Sequence, residues 1–159
     1  MKTTDNITIR LATADDQDFI ISLIPRLTEF GPPSWRNRSE MISTDTQIII
    51  DKLNNRPPGT VIFIAEDDQN VRSGFIHLQS GSDYYNKEIH AHISDVIVVN
   101  QAAGKGIGHA LISAGEAWAR EQGFRWITLS VFAQNLRARE LYRRIGYGED
   151  IMKYVKELS

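Results

Sequence analysis

Apolar and polar positions in the first third of the chain predict one short strand and two helices. Residues 8–11 alternate weakly, which is typical of a strand. A first helix is predicted next, because apolar residues recur at helical spacing at Phe19, Ile20, Leu23, Ile24 and Leu27. Pro25 lies within this segment and is expected to kink or break the helix. A second helix is predicted from Ser43 or Thr44 to Asn54, before the Pro-Pro-Gly stretch at residues 57–59.

The middle of the chain is predicted to be β-rich. Residues 60–66 and 71–79 alternate around the polar residues 67–70, which predicts a hairpin. A polar loop at residues 80–87 follows. The next strand contains the run Val-Ile-Val-Val at residues 96–99, which is apolar at both parities and typical of a central strand covered on both faces.

The last third predicts two helices and two more strands. A helix follows the central strand, with an apolar stripe at Ile107, Leu111, Ala114 and Trp118. Residues 126–131 predict a strand, residues 135–146 a helix, and residues 151–155 a closing strand. The order β-α-α-β-β-β-α-β-α-β predicts an α/β fold with a mixed sheet flanked by helices, as one domain over residues 1–159.

Composition narrows the class of protein. Of the 159 residues, 42% are hydrophobic and 24% are charged, as expected of a globular domain. The absence of cysteine excludes disulfides, thiolate metal sites and a cysteine nucleophile. The longest apolar run, residues 61–65, is far too short to span a bilayer, and the first residues lack an apolar segment. We therefore expect a cytoplasmic protein that is not bound to a membrane.

The charge distribution indicates the kind of ligand. The net charge of −2 argues against nucleic-acid binding. Residues 1–99 carry 9 basic and 14 acidic side chains, whereas residues 100–159 carry 9 and 6. An acidic front half and a basic back half suit a cationic amine and a polyanionic cofactor, respectively.

Three glycines, Gly104, Gly106 and Gly108, lie between the central strand and the next helix. They let a backbone approach a ligand closely, and they open a helix whose free N–H groups favour an anion. The dinucleotide fingerprint G-x-G-x-x-G fails at either starting glycine, and the nucleoside-triphosphate pattern lacks its Lys-hydroxyl pair. A tight turn without a ligand is the alternative.

Two motifs carry a family resemblance. Gln101, Gly104 and Gly106 fill Q-x-x-G-x-G, and the pattern N-x-x-A-x-x-L-Y-x-x-x-G-F/Y is filled by Asn135, Ala138, Leu141, Tyr142, Gly146 and Tyr147. Together, and in a compatible element order over nearly the whole chain, they resemble the GCN5-related N-acetyltransferase (GNAT) superfamily. The resemblance implies an N-acetyltransferase that moves acetyl from acetyl-CoA to a primary amine of a small molecule or protein, by direct attack in a ternary complex.

The resemblance also implies which residues bind acetyl-CoA. The pantetheine arm would run along the backbone of Ile97, Val98 and Val99, with the amide of Val98 or Val99 on the thioester carbonyl. Asn135 would contact the pantetheine, and Tyr142 would be the general acid near the sulfur. The pyrophosphate would be bordered by Gln101 and held along the loop by Ala103, Gly104, Lys105, Gly106, Ile107 and Gly108. Arg137, Arg139, Arg143 and Arg144 are instead interpreted as a solvated helix face.

The general base departs from the clearest family pattern, in which a glutamate lies on the central strand. His90, His92 and Ser94 share one face, and Asp95 lies on the other unless a bulge changes the parity. His92 is the first choice, because a neutral imidazole accepts a proton near neutral pH. His90, Ser94, Asp95 or water remain alternatives. His77 and His109 have no recognisable partners, and no ligand spacing predicts a metal.

The acceptor amine is not determined by these motifs. Loops 31–41 and 80–87, with Trp35, Tyr84 and Tyr85, are expected to select it. The competing function is a non-catalytic acyl-CoA sensor or interaction domain of the same fold. Because relatives in the superfamily are often dimers, a second copy of the chain is a candidate partner.

Overall fold

A computed structural model describes residues 6–29, 33–102 and 104–159, with only the backbone of Gln101. Its sheet has five strands in the order β1-β2-β3-β4-β5. The strands are β1 (Thr8–Leu11), β2 (Thr60–Glu66), β3 (Arg72–Ser82), β4 (Ile89–Val98) and β5 (Ile127–Leu129). The helices are α1 (Gln17–Leu23), α2 (Arg38–Asn55), α3 (Ile107–Glu121) and α4 (Leu136–Arg144). Strands β1 to β4 each pair antiparallel with the next strand in the chain, and β5 pairs parallel with β4.

Two apolar clusters cover the two faces of the sheet. One joins α1 and α2 to Ile64, Phe75 and Ile97. The other joins α3, and more peripherally α4, to Ile76 and Leu78. The mixed α/β architecture predicted from the sequence is therefore confirmed.

Helix α3 lies unusually close to the sheet. A Cβ atom at Gly115 would lie 2.9 Å from Cδ2 of Leu78, so a larger residue there would push the helix outward. Of the predicted stripe, Ile107 and Leu111 are buried and Trp118 packs partly buried against the same cluster, whereas Ala114 is partly buried and is not a member of it. The fully packed face consists of Ile107, Leu111, Ile112, Gly115 and Ala119.

The predicted break at Pro25 is confirmed, since α1 ends at Leu23 and a 3₁₀ turn follows at Ile24–Thr28. Helix α2, in contrast, begins well before the predicted Ser43 or Thr44. The cause is Asn37, whose side-chain oxygen accepts a hydrogen bond from the Glu40 N–H at 3.1 Å and caps the helix.

Three strand boundaries differ from the prediction. β3 continues to Ser82 instead of ending at residue 79, which shortens the predicted 80–87 loop. β5 is confined to three residues. The closing strand predicted at residues 151–155 is absent, since the described chain has no helix or strand after α4, and Tyr154 is 85% exposed. Alternation of apolar residues supplies one face of a strand but not the neighbouring strand that it needs.

Among the described residues, no helix has the length and apolarity needed to cross a membrane. The same residues contain no group of three or more His, Cys, Asp or Glu side chains arranged so that they could hold a metal ion.

Candidate active site

The central strand and β5 separate partway along their length. They pair in parallel through three residue pairs, from Ala91–Ile127 to Ile93–Leu129. Residues 95–98 of β4 then continue to pair with β3, whereas the described part of the chain offers them no partner on the other side. We call this open side of residues 95–98 the sheet gap.

Backbone direction decides which amide faces the sheet gap. The Val99 N–H donates to the carbonyl oxygen of Ser73 at 2.8 Å, on the β3 side. Successive peptide groups of a strand point to opposite sides, so the Val98 N–H and carbonyl point into the sheet gap. An uncommitted amide donor therefore faces the opening.

A β-bulge in β4 brings a carboxylate onto the histidine face. Leu78 pairs with Ile93, but the preceding residue His77 pairs with Asp95, so Ser94 is an extra residue. The parity of the strand changes at Ser94. Asp95 therefore lies on the same face as His92, which is the arrangement that the sequence analysis expected if a bulge changed the parity.

His77 of β3 lies beside Asp95 on this same face, contrary to the prediction that it has no partners. It is fully buried, and its Nδ1 lies 3.3 Å from Oδ2 of Asp95. Its Nε2 has no hydrogen-bond partner among the described residues. The available signal was a histidine inside the apolar run Phe-Ile-His-Leu of a buried strand.

His92 bridges the two diverging strands. Its Nδ1 lies 2.8 Å from Oγ1 of Thr128 on β5. Burial lowers the pKa of His92 and the neighbouring His90 lowers it further, while the Asp95 carboxylate opposes the shift. The imidazole is therefore neutral at neutral pH, with one nitrogen able to accept a proton.

The glycine-rich loop follows directly after the sheet gap. Gly104 and Gly106 both have φ of +80°, a left-handed conformation that glycine adopts without strain. Gly106 is the N-cap of α3 and has no side chain to cover the first N–H groups of the helix. Lys105 is exposed between them. Predictions for Ala103 and for the Gln101 side chain lie outside the described residues.

Arg137 approaches this loop from the first turn of α4. Its Nη2 would lie 3.8 Å from a Cβ atom built on Gly104. The sequence analysis assigned Arg137 to a solvated helix face, and spacing within α4 gave no signal of this contact. The structure thus adds a second cation beside Lys105 near the uncapped helix.

Two predicted residues lie on α4. The Asn135 side chain accepts a hydrogen bond from the Ala138 N–H at 3.1 Å and so caps the start of α4. Tyr142 is partly buried in the α3-side cluster, and burial raises its pKa. Tyr147, with its ring centre 5.9 Å from that of Tyr142, has a buried hydroxyl without a partner among the described residues.

A cavity of about 470 Å³ has Asp45 in its lining, and Asp45 is near enough to Asp95 of β4 for the Asp95 carboxylate to raise the pKa of Asp45. Its lining comes from the segment before α2, the first two turns of α2, and the segment after β5. The lining residues are Trp35, Arg36, Asn37, Glu40, Met41, Thr44, Asp45 and Phe132. The interpretation of Trp35 as a residue beside the acceptor is consistent with this position. Tyr84 and Tyr85 instead stack edge-on against each other and are largely exposed.

A strand pair that opens next to a free amide, followed at once by an uncapped glycine-rich helix, can hold an extended ligand that carries an acyl group at one end and phosphates further along. The chain belongs to the Acetyltransferase (GNAT) family, which it matches over residues 24–147. It is thus an acetyl-CoA-dependent acyltransferase, as the sequence resemblance implied.

Individual relatives agree with this assignment. The chain is 32% identical to the uncharacterized N-acetyltransferase YhfO of Bacillus subtilis (strain 168) over 143 residues, which cover 89% of this chain and 90% of YhfO. An acetyl transferase structure from Pyrococcus furiosus superposes with a TM-score of 0.77 at 24% identity, covering 96% and 99% of the two chains. AAC(6')-Iy in complex with the bisubstrate analog CoA-S-monomethyl-acetylneamine superposes with a TM-score of 0.70 at 20% identity, covering 96% and 99%. At these identities the two structures establish the shared fold.

Proposed function

We propose that this protein transfers an acetyl group from acetyl-CoA to a primary amine by direct attack in a ternary complex. The observation that carries the proposal is the continuity of the sheet gap with the glycine-rich loop. The Val98 amide faces the gap, and the uncapped start of α3 follows within a few residues. One extended ligand with a thioester at one end and phosphates further along fits this arrangement.

The acetyl-CoA contacts follow from the backbone. The pantetheine arm lies along Ile97, Val98 and Val99 and replaces the missing β5 pairing. Because the Val99 amide is already bonded to Ser73, Val98 is the donor for the thioester carbonyl. The pyrophosphate is held by amides from Ala103 to Gly108, with Gln101 at its border. Asn135 contacts the pantetheine while also capping α4.

The reaction needs an oxyanion donor, a base and an acid. As the amine nitrogen bonds to the thioester carbon, negative charge develops on the carbonyl oxygen, and the Val98 N–H stabilises it. His92 accepts the proton of the amine. The C–S bond then breaks, and Tyr142 protonates the leaving thiolate. The chain has no cysteine for a thioester intermediate, in keeping with direct attack.

The contacts of His92 support its role as base. The Thr128 hydroxyl lies 3.5 Å from the Ala91 carbonyl, which can only accept. When the hydroxyl donates there, its oxygen accepts from His92 Nδ1–H, and the lone pair of Nε2 is left for the substrate proton. Thr128 is then a positioning residue that fixes the tautomer.

The test is release of coenzyme A thiol from acetyl-CoA on addition of amines, read with a thiol reagent to which a cysteine-free protein adds no background. We expect amine-dependent turnover with an acid limb in kcat below pH 6.5, because burial lowers the pKa of His92 and protonation removes the base. His92→Gln should lower kcat about 100-fold and abolish this limb.

Asp95→Asn separates the two nearest candidates for the base. The Asp95 carboxylate raises the pKa of His92, so its removal should move the acid limb to lower pH while activity persists. If Asp95→Asn abolishes the limb and His92→Gln retains it, Asp95 is the base. If no amine accelerates thiol release although acetyl-CoA binds, the protein is an acyl-CoA sensor instead.

We propose that Arg137 adds an ionic contact to the cofactor phosphates, supported by its position beside Gly104. Arg137→Ala should raise KM for acetyl-CoA about tenfold at low ionic strength with kcat unchanged, because a charge-assisted hydrogen bond is lost. The difference should shrink at high salt, where exposed charges are screened. Arg144→Ala, at the exposed end of the same helix, is the matched control. An equal KM change in both variants would assign the effect to general charge.

A further inference from the structure

We propose that the cavity lined by Trp35, Glu40, Asp45 and Phe132 is the acceptor site, and that it selects an amine carrying at least one additional cationic nitrogen. This inference rests on the proposed acetyl transfer and names its substrate class. One nitrogen reaches the His92–Asp95 face and is acetylated. A second, protonated nitrogen stays in the cavity, between the carboxylates of α2 and the aromatic rings.

The first observation is the position of the cavity relative to β4 and β5. Burial, and then the carboxylate of Asp95, raise the pKa of Asp45, so Asp45 lies within electrostatic range of the bulged part of β4. Phe132 closes the cavity from the segment after β5. The cavity lining thus includes one residue within electrostatic range of β4 and one from the segment after β5, and β4 and β5 are the two strands that border the sheet gap.

The second observation is the negative charge that Glu40 and Asp45 give to the lining. Glu40 and Thr44, and likewise Met41 and Asp45, are spaced four residues apart and share one side of α2. Among the described residues, neither Glu40 nor Asp45 forms an ion pair. Asp45 is partly buried, and a carboxylate desolvated without a counter-charge is unfavourable. A cationic ligand relieves that cost.

The third observation is that two aromatic residues of the lining, Trp35 and Phe132, lie close to a cation. The guanidinium carbon of Arg36 lies 4.2 Å from the ring centre of Trp35 and 5.9 Å from that of Phe132. The two rings thus already accommodate a cation, and aromatic faces attract ammonium groups in the same way. Arg36 lines the same cavity but forms no ion pair with Glu40 or Asp45 among the described residues, so the two carboxylates outnumber the one basic side chain of the lining. Outside the lining, Nζ of Lys153 lies 6.0 Å from the ring centre of Trp35. The cavity therefore combines an excess of acidic over basic lining residues with rings that attract cations.

The experiment compares a linear diamine with the monoamine of equal chain length as acceptors. Wild type should show a kcat/KM for the diamine at least about tenfold higher, the value of one charge-assisted contact. Asp45→Asn should remove most of this preference by lowering kcat/KM for the diamine about tenfold, with little effect on the monoamine. Glu40→Gln should act in the same direction. Asp51→Asn, which neutralises a carboxylate on the same helix outside the cavity lining, should leave the preference intact.

The outcomes separate this inference from the proposed function. Equal use of both amines by wild type, or an equal loss with both amines in Asp45→Asn, would refute the cationic site while acetyl transfer stands. If neither amine is acetylated, calorimetric titration of each amine into the protein with coenzyme A measures their affinities and tests the cationic site directly. Tighter binding of the diamine, lost in Asp45→Asn, supports the site independently of turnover, and equal binding refutes it.

Discussion

Gly108→Glu is expected to abolish acetyl-CoA binding while the protein stays folded. Gly108 lies in the first turn of α3, and a Cβ atom there meets only Cγ2 of Val98, at an ordinary 3.8 Å. The Cβ of a glutamate therefore fits without a clash, and the substitution adds a negative charge to the helical turn whose amides would hold the pyrophosphate. Repulsion and occupation of the amides should weaken binding at least about 100-fold, equivalent to two or more charge-assisted hydrogen bonds. Isothermal calorimetry with coenzyme A measures the loss.

Gly108→Gln is the matched control, since it has the same size without the charge. It should retain considerably more binding than Gly108→Glu. Thermal unfolding should show that Gly108→Glu is at least as stable as wild type, because an acidic residue in the first turn of a helix is favourable by about 0.3–1 kcal/mol. Equal loss in the two variants would mean that bulk, not charge, blocks the site. Unchanged binding in both would remove the anion site.

Tyr142→Phe is expected to lower kcat about 100-fold without changing the affinity for acetyl-CoA, because a general acid acts only as the thiolate leaves. Burial raises the pKa of Tyr142, so its hydroxyl remains protonated throughout the neutral range and can supply the proton. Steady-state kinetics at saturating acetyl-CoA, together with calorimetry, would measure the two quantities separately.

The neighbouring Tyr147 provides a control for the aromatic packing. Tyr147→Phe removes a buried hydroxyl that has no partner among the described residues, so it should leave kcat unchanged and slightly increase thermal stability. If Tyr142→Phe and Tyr147→Phe have the same small effect on kcat, Tyr142 is a packing residue and the thiolate leaves without a protein acid.

Several features of the fold were predictable because their causes are local. Asn135 caps α4 through an amide three residues away, and Pro25 interrupts its own helix. The early start of α2 was also readable, since Asn37 followed by Glu40 is a helix-start pattern. In each case a few adjacent residues determine the conformation, so the sequence contains the whole cause.

Other features depend on residues that are distant in sequence. The bulge at Ser94 exists because β3 and β4 pair in a particular register, and only that register moves Asp95 onto the histidine face. The contact between Arg137 and the Gly104 loop requires α4 to dock beside the start of α3. The closing strand was predicted from alternation alone, and the five-stranded sheet does not include it.

The amino-acid sequence by itself determined the element order through β5 and α4, the two motifs, the glycine-rich loop and the choice of His92 and Tyr142 as candidates. Only the tertiary structure decided which amide faces the sheet gap, which acidic side chains surround His92, and where a cavity for the acceptor lies. The physical reason is how far apart in the sequence the interacting residues lie. Caps, turns and helix stripes arise from neighbours along the chain, whereas strand register, desolvation and charge–charge proximity arise when distant segments pack together.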